Sequence, residues 1–434
     1  MLAVAVVVEL LAGLLAAGSL SRGIREPGPP ARATAAAPAR SPQAERATAV
    51  RALLGARATA VRRHDRKAFL ATIDARSVAF RARQARMFDA LRSVPLKTWE
   101  YVLDEDVEQP SDQDLNRKYL ATWWAPAVAL RYTFDGWESA PTFEPQHVTF
   151  VRRADERWYL ASDDDFARKG DVTTRALWDG GPVVVVRGRR TLALGHPGAR
   201  PAMVRLAAEV DAAVPRVTAV WGRWSRKVVL LVPSDQRELG RLIGSSKDLS
   251  SIAAVALSQI TEQDSGGYRP VGDRVLVNPR AFAQLGEVGR RVVLTHEVTH
   301  IASRADTGPV TPTWLAEGLA DYVGYLQVDL PLSVIAPDVQ RDVRAGRLPR
   351  TLPTDKAFAA DSRTLSQAYE QAWLAFRLLV QRYGLDRVLA FYRQVGQARD
   401  GSSTKAVDVA LRDLGTDVDG FTATWRASLR AQLS

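Results

Sequence analysis

The chain has 434 residues, of which 46% are hydrophobic and 25% are charged, a composition typical of a globular protein with two or three domains. Cysteine is absent, which excludes disulfide cross-links and thiolate metal ligands. The formal net charge is +11, but no motif combines the basic residues with regularly spaced aromatic ones. We therefore expect a solvated basic surface and no specific binding of nucleic acid.

The N-terminal end of the chain is apolar. Residues 1–20 contain one charged side chain, Glu9, and are long enough for the core of an export signal or for a marginal membrane span. Basic residues follow this segment instead of preceding it, so the usual pattern of an export signal is incomplete. Residues 21–44 are rich in alanine, proline and arginine and predict a disordered linker. We expect an extracytoplasmic protein that is either secreted or tethered to a membrane through residues 2–20.

Residues 45–168 change from a helical to a strand pattern. Apolar residues at helical spacing predict amphipathic helices at the start, and the alternation of Val128, Leu130 and Tyr132 predicts a half-buried antiparallel strand. Further short strands follow, separated by turns. In its order of helices and strands, this region resembles the NTF2-like fold, an α+β cone. That resemblance implies a concave sheet that can bind ligands or partners.

The polar residues of region 45–168 do not form the pattern of a catalytic site. His64 and His147 are isolated along the sequence, so we expect each to be an ordinary surface or hydrogen-bonded histidine. The acidic run at residues 163–165 is predicted to be a solvated turn at the end of the domain.

A second unit is predicted over residues 171–434. Valine-rich and leucine-rich runs at residues 183–186, 191–194 and 228–232 predict strands of a sheet, and amphipathic helices dominate the C-terminal half. Residues 252–258 predict one more strand, either at the edge of the sheet or inside it.

Two histidines in this unit have the spacing of a metal site. His296 and His300 are four residues apart on a predicted helix, so both imidazoles can face one metal ion. Glu297 lies one step round the helix, where a carboxylate can take a proton from a water molecule. The alternative is a buried amphipathic helix whose two histidines form only local hydrogen bonds.

A third ligand is predicted on the next helix. Glu317 follows a loop rich in glycine and proline, so the chain can fold back and present its carboxylate to the histidine pair. A catalytic zinc ion usually has three protein ligands and one open position. Asp321 lies one turn after Glu317 and is predicted to accept the free N–H of a ligand histidine.

Three blocks of sequence resemble the gluzincin zinc metallopeptidases, the thermolysin-like and M1-like group of the MA clan. They are LTHEVTHIAS at residues 294–303, TWLAEGLADYVGY at residues 313–325 and LSQAYEQAWLAF at residues 365–376. The resemblance implies a mixed sheet followed by a helical half, a Zn²⁺ ion, and a peptide or protein substrate. It also implies that Tyr369 stabilises the oxyanion, although a core tyrosine would fit the helical pattern equally well.

Two departures from the family bear on the reaction. Ala316 stands where M1 aminopeptidases usually have asparagine, and no G-x-M-E-N stretch, which captures a free amino terminus in those enzymes, precedes the histidines. The expected activity is therefore that of an endopeptidase. The alternative is an exported envelope interaction protein whose metallopeptidase-like domain is structural or inactive.

Overall fold

The structure is a computed structural model, which describes residues 41–245, 249–250, 252–262, 268–359, 362–399 and 401–434. The predicted export segment and most of the predicted linker lie outside these residues. The last three residues of that linker are helical, because the first helix begins at Pro42. In the part of the chain that is described, no helix has the length and apolar character needed to cross a membrane.

The N-terminal part combines helices with two small antiparallel sheets. Its helices are α1 (Pro42–Arg62), α2 (Arg66–Ala71), α3 (Val78–Ala90) and α4 (Gln113–Tyr119). Its strands are β1 (Leu96–Glu108), β2 (Trp123–Trp124), β3 (Pro126–Phe134), β4 (Thr142–His147), β5 (Thr149–Arg152) and β6 (Trp158–Ser162). The sheet orders are β1-β3-β4 and β2-β5-β6. The predicted inward-facing residues of β3, Val128, Leu130 and Tyr132, are all buried.

The acidic run after β6 is not the solvated turn that the sequence predicts. Asp163 is buried and accepts hydrogen bonds from Arg83 at 2.7 Å and Arg175 at 2.5 Å. Asp165 accepts from the hydroxyls of Tyr119 at 2.6 Å and Thr149 at 2.7 Å. The prediction was wrong because these partners come from other elements of the chain, so no local sequence pattern predicts them. The ion pair between Asp163 and Arg83 and the hydrogen bond between Asp165 and Tyr119 tie the end of the N-terminal part to α3 and α4.

The second part begins with a five-stranded mixed sheet in the order β10-β11-β9-β8-β7. Its elements are α5 (Leu177–Gly180), β7 (Val184–Arg187), β8 (Thr191–Gly195), α6 (Arg200–Trp221), β9 (Val228–Val232), α7 (Gln236–Ile243), β10 (Ala254–Glu262), β11 (Tyr268–Val277) and α8 (Pro279–Ala283). Strands β8, β9 and β11 are parallel, and both outer strands pair antiparallel with their neighbours. Among the described strands β10 lies at the edge, one of the two positions predicted for residues 252–258.

The C-terminal half is helical, so the chain has the α+β class that the sequence predicts. The helices are α9 (Glu287–Ser303), α10 (Thr313–Tyr325), α11 (Leu332–Ile335), α12 (Pro337–Arg344), α13 (Leu365–Tyr383), α14 (Leu385–Gln397), α15 (Ser403–Arg412) and α16 (Val418–Leu433). Helix α9 packs against α6, α10 and β10, and α10 packs against α13. These contacts place the predicted metal-binding helices in the interior.

One buried side chain joins the two parts. Arg274 of β11 donates to the Tyr132 hydroxyl at 2.5 Å, to Thr142 Oγ1 at 2.8 Å and to Glu138 Oε1 at 3.1 Å. Its guanidinium carbon also lies 5.0 Å from the ring centres of Tyr132 and Phe134. One buried hydrophobic cluster has members on both sides of residue 170.

Replacing Arg274 with alanine should destabilise the whole molecule. The change leaves the buried carboxylate of Glu138 without its ion-pair partner, a situation that costs about 3–5 kcal/mol in other proteins. Chemical denaturation of the full chain measures this loss. Arg269→Ala is the matched control, because Arg269 lies on the same strand and is exposed. Within the described part of the chain its guanidinium forms a hydrogen bond only with Ser139. Equal stability of the two variants would contradict this account of the junction.

Candidate metal centre

The first two groups of the site lie on α9. This helix is buried from Val292 to Ser303, so both histidines are enclosed by protein on a rigid element. The four-residue spacing puts His296 and His300 on one face, and their Nε2 atoms are 2.9 Å apart. Both Nε2 atoms therefore point towards the same small volume.

Glycines bring α10 close to its neighbours. A Cβ atom on Gly318 would lie 2.6 Å from the Ala372 carbonyl oxygen of α13. A Cβ atom on Gly324 would lie 3.2 Å from the Val292 carbonyl oxygen of α9. Helix α10 can thus lie pressed between α9 and α13 only because these two residues lack side chains. The close approach carries Glu317 to the histidine pair.

The three candidate ligands have the mutual distances of a tetrahedral site. Glu317 Oε2 lies 3.2 Å from His296 Nε2 and 3.5 Å from His300 Nε2. With the 2.9 Å between the two nitrogens, these distances bracket the edge of about 3.3 Å expected for a tetrahedron with bonds of about 2.0 Å. All three side chains are buried, with exposures of 0%, 3% and 0% in chain order.

The surroundings of the Glu317 carboxylate best test whether the three residues fit a metal ion. Among the described residues its Oε1 atom has no hydrogen-bond partner and its Oε2 atom lies beside the two imidazoles, although the residue is wholly buried. A buried ionised carboxylate without hydrogen bonds is costly, and a bound cation removes that cost. The His-His-Glu group could therefore hold a metal ion, and its nitrogen and oxygen donors suit zinc.

Asp321 lies behind the first histidine. Its Oδ1 atom is 2.8 Å from His296 Nδ1, which orients the ring and leaves Nε2 free of that contact. Burial opposes a charge on His296, but Asp321 and Glu317 raise the pKa of this imidazole well above its ordinary value of 6.5. Burial in turn raises the pKa of Asp321, while His296 counteracts the shift. The site thus favours positive charge at the position of the ring.

The remaining predicted site residues are also buried. Glu297 follows His296 on α9 and has no solvent exposure. Tyr369 lies in α13, with its ring packed edge-on against Phe358 at 5.2 Å between ring centres. Helix α13 starts at Leu365, so Tyr369 lies in its second turn. The structure thus brings His296, His300, Glu317 and Asp321 together, and it places Tyr369 on a helix packed against α10.

The proline-rich segment after α10, residues 326–359, has prolines at 331, 337, 349 and 353. Sequence reasoning missed the contacts that fasten it. Asp355 Oδ1 accepts from the Thr313 backbone N–H at 2.8 Å and so caps the start of α10. Glu370 accepts from the Val339 backbone N–H at 2.7 Å and caps α12. Neither pair has a local sequence signature, since the partners are 42 and 31 residues apart. These caps attach the segment to the helices that carry Glu317 and Tyr369.

Comparison with known proteins gives little beyond this geometry. No family model matches the chain, and no curated protein matches it. The solved structure of native yeast LTA4 hydrolase aligns with a TM-score of 0.34 and 13% sequence identity, covering 77% of this chain. The chain spans 60% of the length of that protein. At this level of similarity, any functional inference has to come from the site itself.

Zinc should stabilise the protein through this group. A ligand that binds only the folded state raises its stability by about 2.7 kcal/mol at a concentration one hundred times its dissociation constant. We expect the thermal midpoint of the metal-free protein to rise on addition of Zn²⁺, and this rise to be lost in His300→Ala. His64→Asn is the control, because His64 is exposed and its positive φ of 53° suits asparagine. A rise that persists in His300→Ala would place the zinc elsewhere.

Proposed function

We propose that the protein is a zinc-dependent peptidase that cleaves within peptide chains. The observation that carries this proposal is the buried convergence of His296, His300 and Glu317 beside a second buried glutamate, Glu297. A structural zinc site has four protein ligands and no use for an adjacent carboxylate, whereas a hydrolytic site needs three ligands and a base. Three ligand residues plus Glu297 agree with the hydrolytic pattern.

Each side chain has a role in this proposal. His296, His300 and Glu317 would hold the zinc ion, which when bound would polarise the substrate carbonyl and acidify a water molecule. Glu297 accepts the proton of the attacking water and delivers it to the leaving nitrogen. Asp321 accepts the Nδ1 proton of His296 and keeps Nε2 directed at the ligand position.

Tyr369 is the last residue with a proposed role in the reaction, that of stabilising the oxyanion. In the reaction, the carbonyl oxygen of the cleaved bond gains negative charge, and a preorganised hydroxyl donor stabilises that charge. Tyr369 is buried in α13, which packs against the helix of Glu317. Its phenol can donate a hydrogen bond without first losing a shell of water, so we assign it to the oxyanion.

Substrate and location are part of the same proposal. We infer an extracytoplasmic peptidase acting on peptides or proteins, carried there by residues 1–20 and acting without nucleic acid. All the site side chains are buried, so a peptide reaches them only when the elements that cover them move apart. A site that stays closed would leave the alternative function, an envelope interaction protein with an inactive metal domain.

Replacing Glu297 with glutamine should abolish hydrolysis and leave the metal in place. The amide cannot accept the water proton, while the three ligands are unchanged, so we expect kcat to fall by at least about 10²-fold with zinc near one ion per chain. Zinc analysis and cleavage of an unbiased peptide library, both on the full chain, measure the two effects. Glu287→Gln, an exposed change in the first turn of the same helix, is the control.

The outcomes of this experiment separate the two functions. Cleavage by the wild type and the control alone supports the peptidase. Zinc in every variant without cleavage by any of them supports the inactive metal domain. Retained cleavage by zinc-loaded Glu297→Gln would remove Glu297 from the mechanism.

Replacing Tyr369 with phenylalanine should lower kcat without changing zinc content. Loss of one donor to an oxyanion costs about 10²–10³-fold in other enzymes, whereas substrate binding depends little on that hydroxyl. Steady-state kinetics on the best peptide separates kcat from KM. Tyr325→Phe is the control, because Tyr325 lies on α10 and packs against Trp373 of the same helix as Tyr369. Equal kcat values in the two variants would make Tyr369 a core residue.

A further inference from the structure

The outer side of β10 is defined by its pairing with β11. At the start of the strand, the Asn278 N–H donates to the Ala253 carbonyl at 2.9 Å. Inward and outward backbone groups alternate along an antiparallel strand, so the backbone groups of Ala254 and Ala256 point away from β11. These outward groups form the edge of the sheet beside α9, against which β10 packs.

Arg304 forms a hydrogen bond with one of these outward backbone groups. It follows α9 directly, four residues after His300, and its Nη2 atom donates to the Ala256 carbonyl at 3.1 Å. The side chain is only 10% exposed, and its Nε atom lies 3.9 Å from Asp273 Oδ1 on β11. A charged donor on a backbone carbonyl, shielded from water, forms a stronger hydrogen bond than a neutral pair. Arg304 therefore connects the end of the metal helix to the edge strand.

The other end of the same edge is held by the N-terminal part. Gln259 of β10 donates to the Phe143 carbonyl at 2.5 Å and accepts from the Phe143 N–H at 2.8 Å. The side-chain amide of Gln259 thus forms with the Phe143 backbone the pair of hydrogen bonds that a neighbouring strand would form. The edge of β10 is anchored at Ala256 by Arg304 and three residues later by β4.

The stretch near Arg304 is built for close approach to the metal helix. Residues 253–256 read Ala-Ala-Val-Ala and are all buried, so short side chains separate β10 from α9. Besides its pairing with β11, this strand is linked to the end of α9 by the hydrogen bond from Arg304 to the Ala256 carbonyl. An extended peptide binds a strand edge through backbone hydrogen bonds, and an error of about 1 Å in its position can cost about 10² in rate.

We propose that Arg304 is a positioning residue, which fixes the edge strand β10 at the distance from α9 that an extended peptide substrate requires. This inference rests on the proposed peptidase function. Arg304 acts through Ala256 and makes no contact with the reacting atoms. Loss of the guanidinium would let β10 move relative to His296 and His300, so extended peptides would bind less well while the metal ligands stayed in place.

The test compares Arg304→Ala and Arg304→Lys with Arg290→Ala in the full chain. Arg290 is the matched control, since it lies in the first turn of α9 and also donates to a backbone carbonyl, that of Leu285, at 2.8 Å. Hydrogen exchange at the amides of residues 254–258 reports on the strand without any activity. We expect exchange there to rise about tenfold in Arg304→Ala, as for loss of one charged hydrogen bond, and to stay unchanged in Arg290→Ala.

Kinetics supplies the second readout. For an extended peptide, Arg304→Ala should raise KM about tenfold, change kcat by less than about threefold and leave zinc content unchanged, with Arg304→Lys between it and the wild type. Unchanged exchange at residues 254–258 overturns the positioning role. Raised exchange with unchanged KM overturns the link to substrate.

Failure of the proposed function gives a different result. A wild-type protein that cleaves no peptide overturns the peptidase and with it the role of Arg304 towards substrate. The exchange data still decide in that case whether Arg304 holds β10 against α9. Exchange in the central strand β9 serves as the reference for global unfolding and should be equal in all variants.

Discussion

The structure depends on acidic charge buried where three helices meet. Glu317 and Asp321 are almost completely removed from water, and both lie against the imidazole of His296, with His300 next to Glu317. Such an arrangement is unfavourable in a protein interior unless a cation shares it. The glycine contacts of α10, the burial of α9 and the caps on the proline-rich segment all serve to hold these charges together. The candidate function follows from that energetic requirement more than from any overall likeness.

Much of this centre could be predicted because its information is local. His296 and His300 are one helical turn apart, and Glu317 and Asp321 are one turn apart on the next helix, so two short blocks place four side chains. The strands of the mixed sheet are similarly evident from their valine and leucine runs. The burial of Asp163 and Asp165, by contrast, depends on cations and hydroxyls from elsewhere in the chain. No periodicity carries that information, and the sequence predicts a solvated turn there.

The contacts of β10 could not be predicted from local sequence either. Arg304 meets Ala256 across 48 residues, and Gln259 meets Phe143 across 116. An arginine after a helix and a glutamine in a strand have unremarkable local surroundings, so only the folded chain shows what they hold. The resemblance to gluzincin peptidases was carried by ligands and helices, which tolerate little change in spacing. The position of β10, which we propose as the substrate edge, depends on how the whole chain folds around those helices.

The pairing of Gln259 with Phe143 also has a consequence for how the chain can be divided. Among the described strands, β4 and β10 are each the last strand of a sheet. Exposed strand edges recruit other chains and lead to aggregation, so proteins cover them. In this molecule the Gln259 side chain of β10 covers the Phe143 backbone of β4, with Arg274 buried nearby. The N-terminal part expressed alone would expose this stretch of β4, and the C-terminal part alone would expose Arg274 without its partners, so we expect the two parts to be soluble only together.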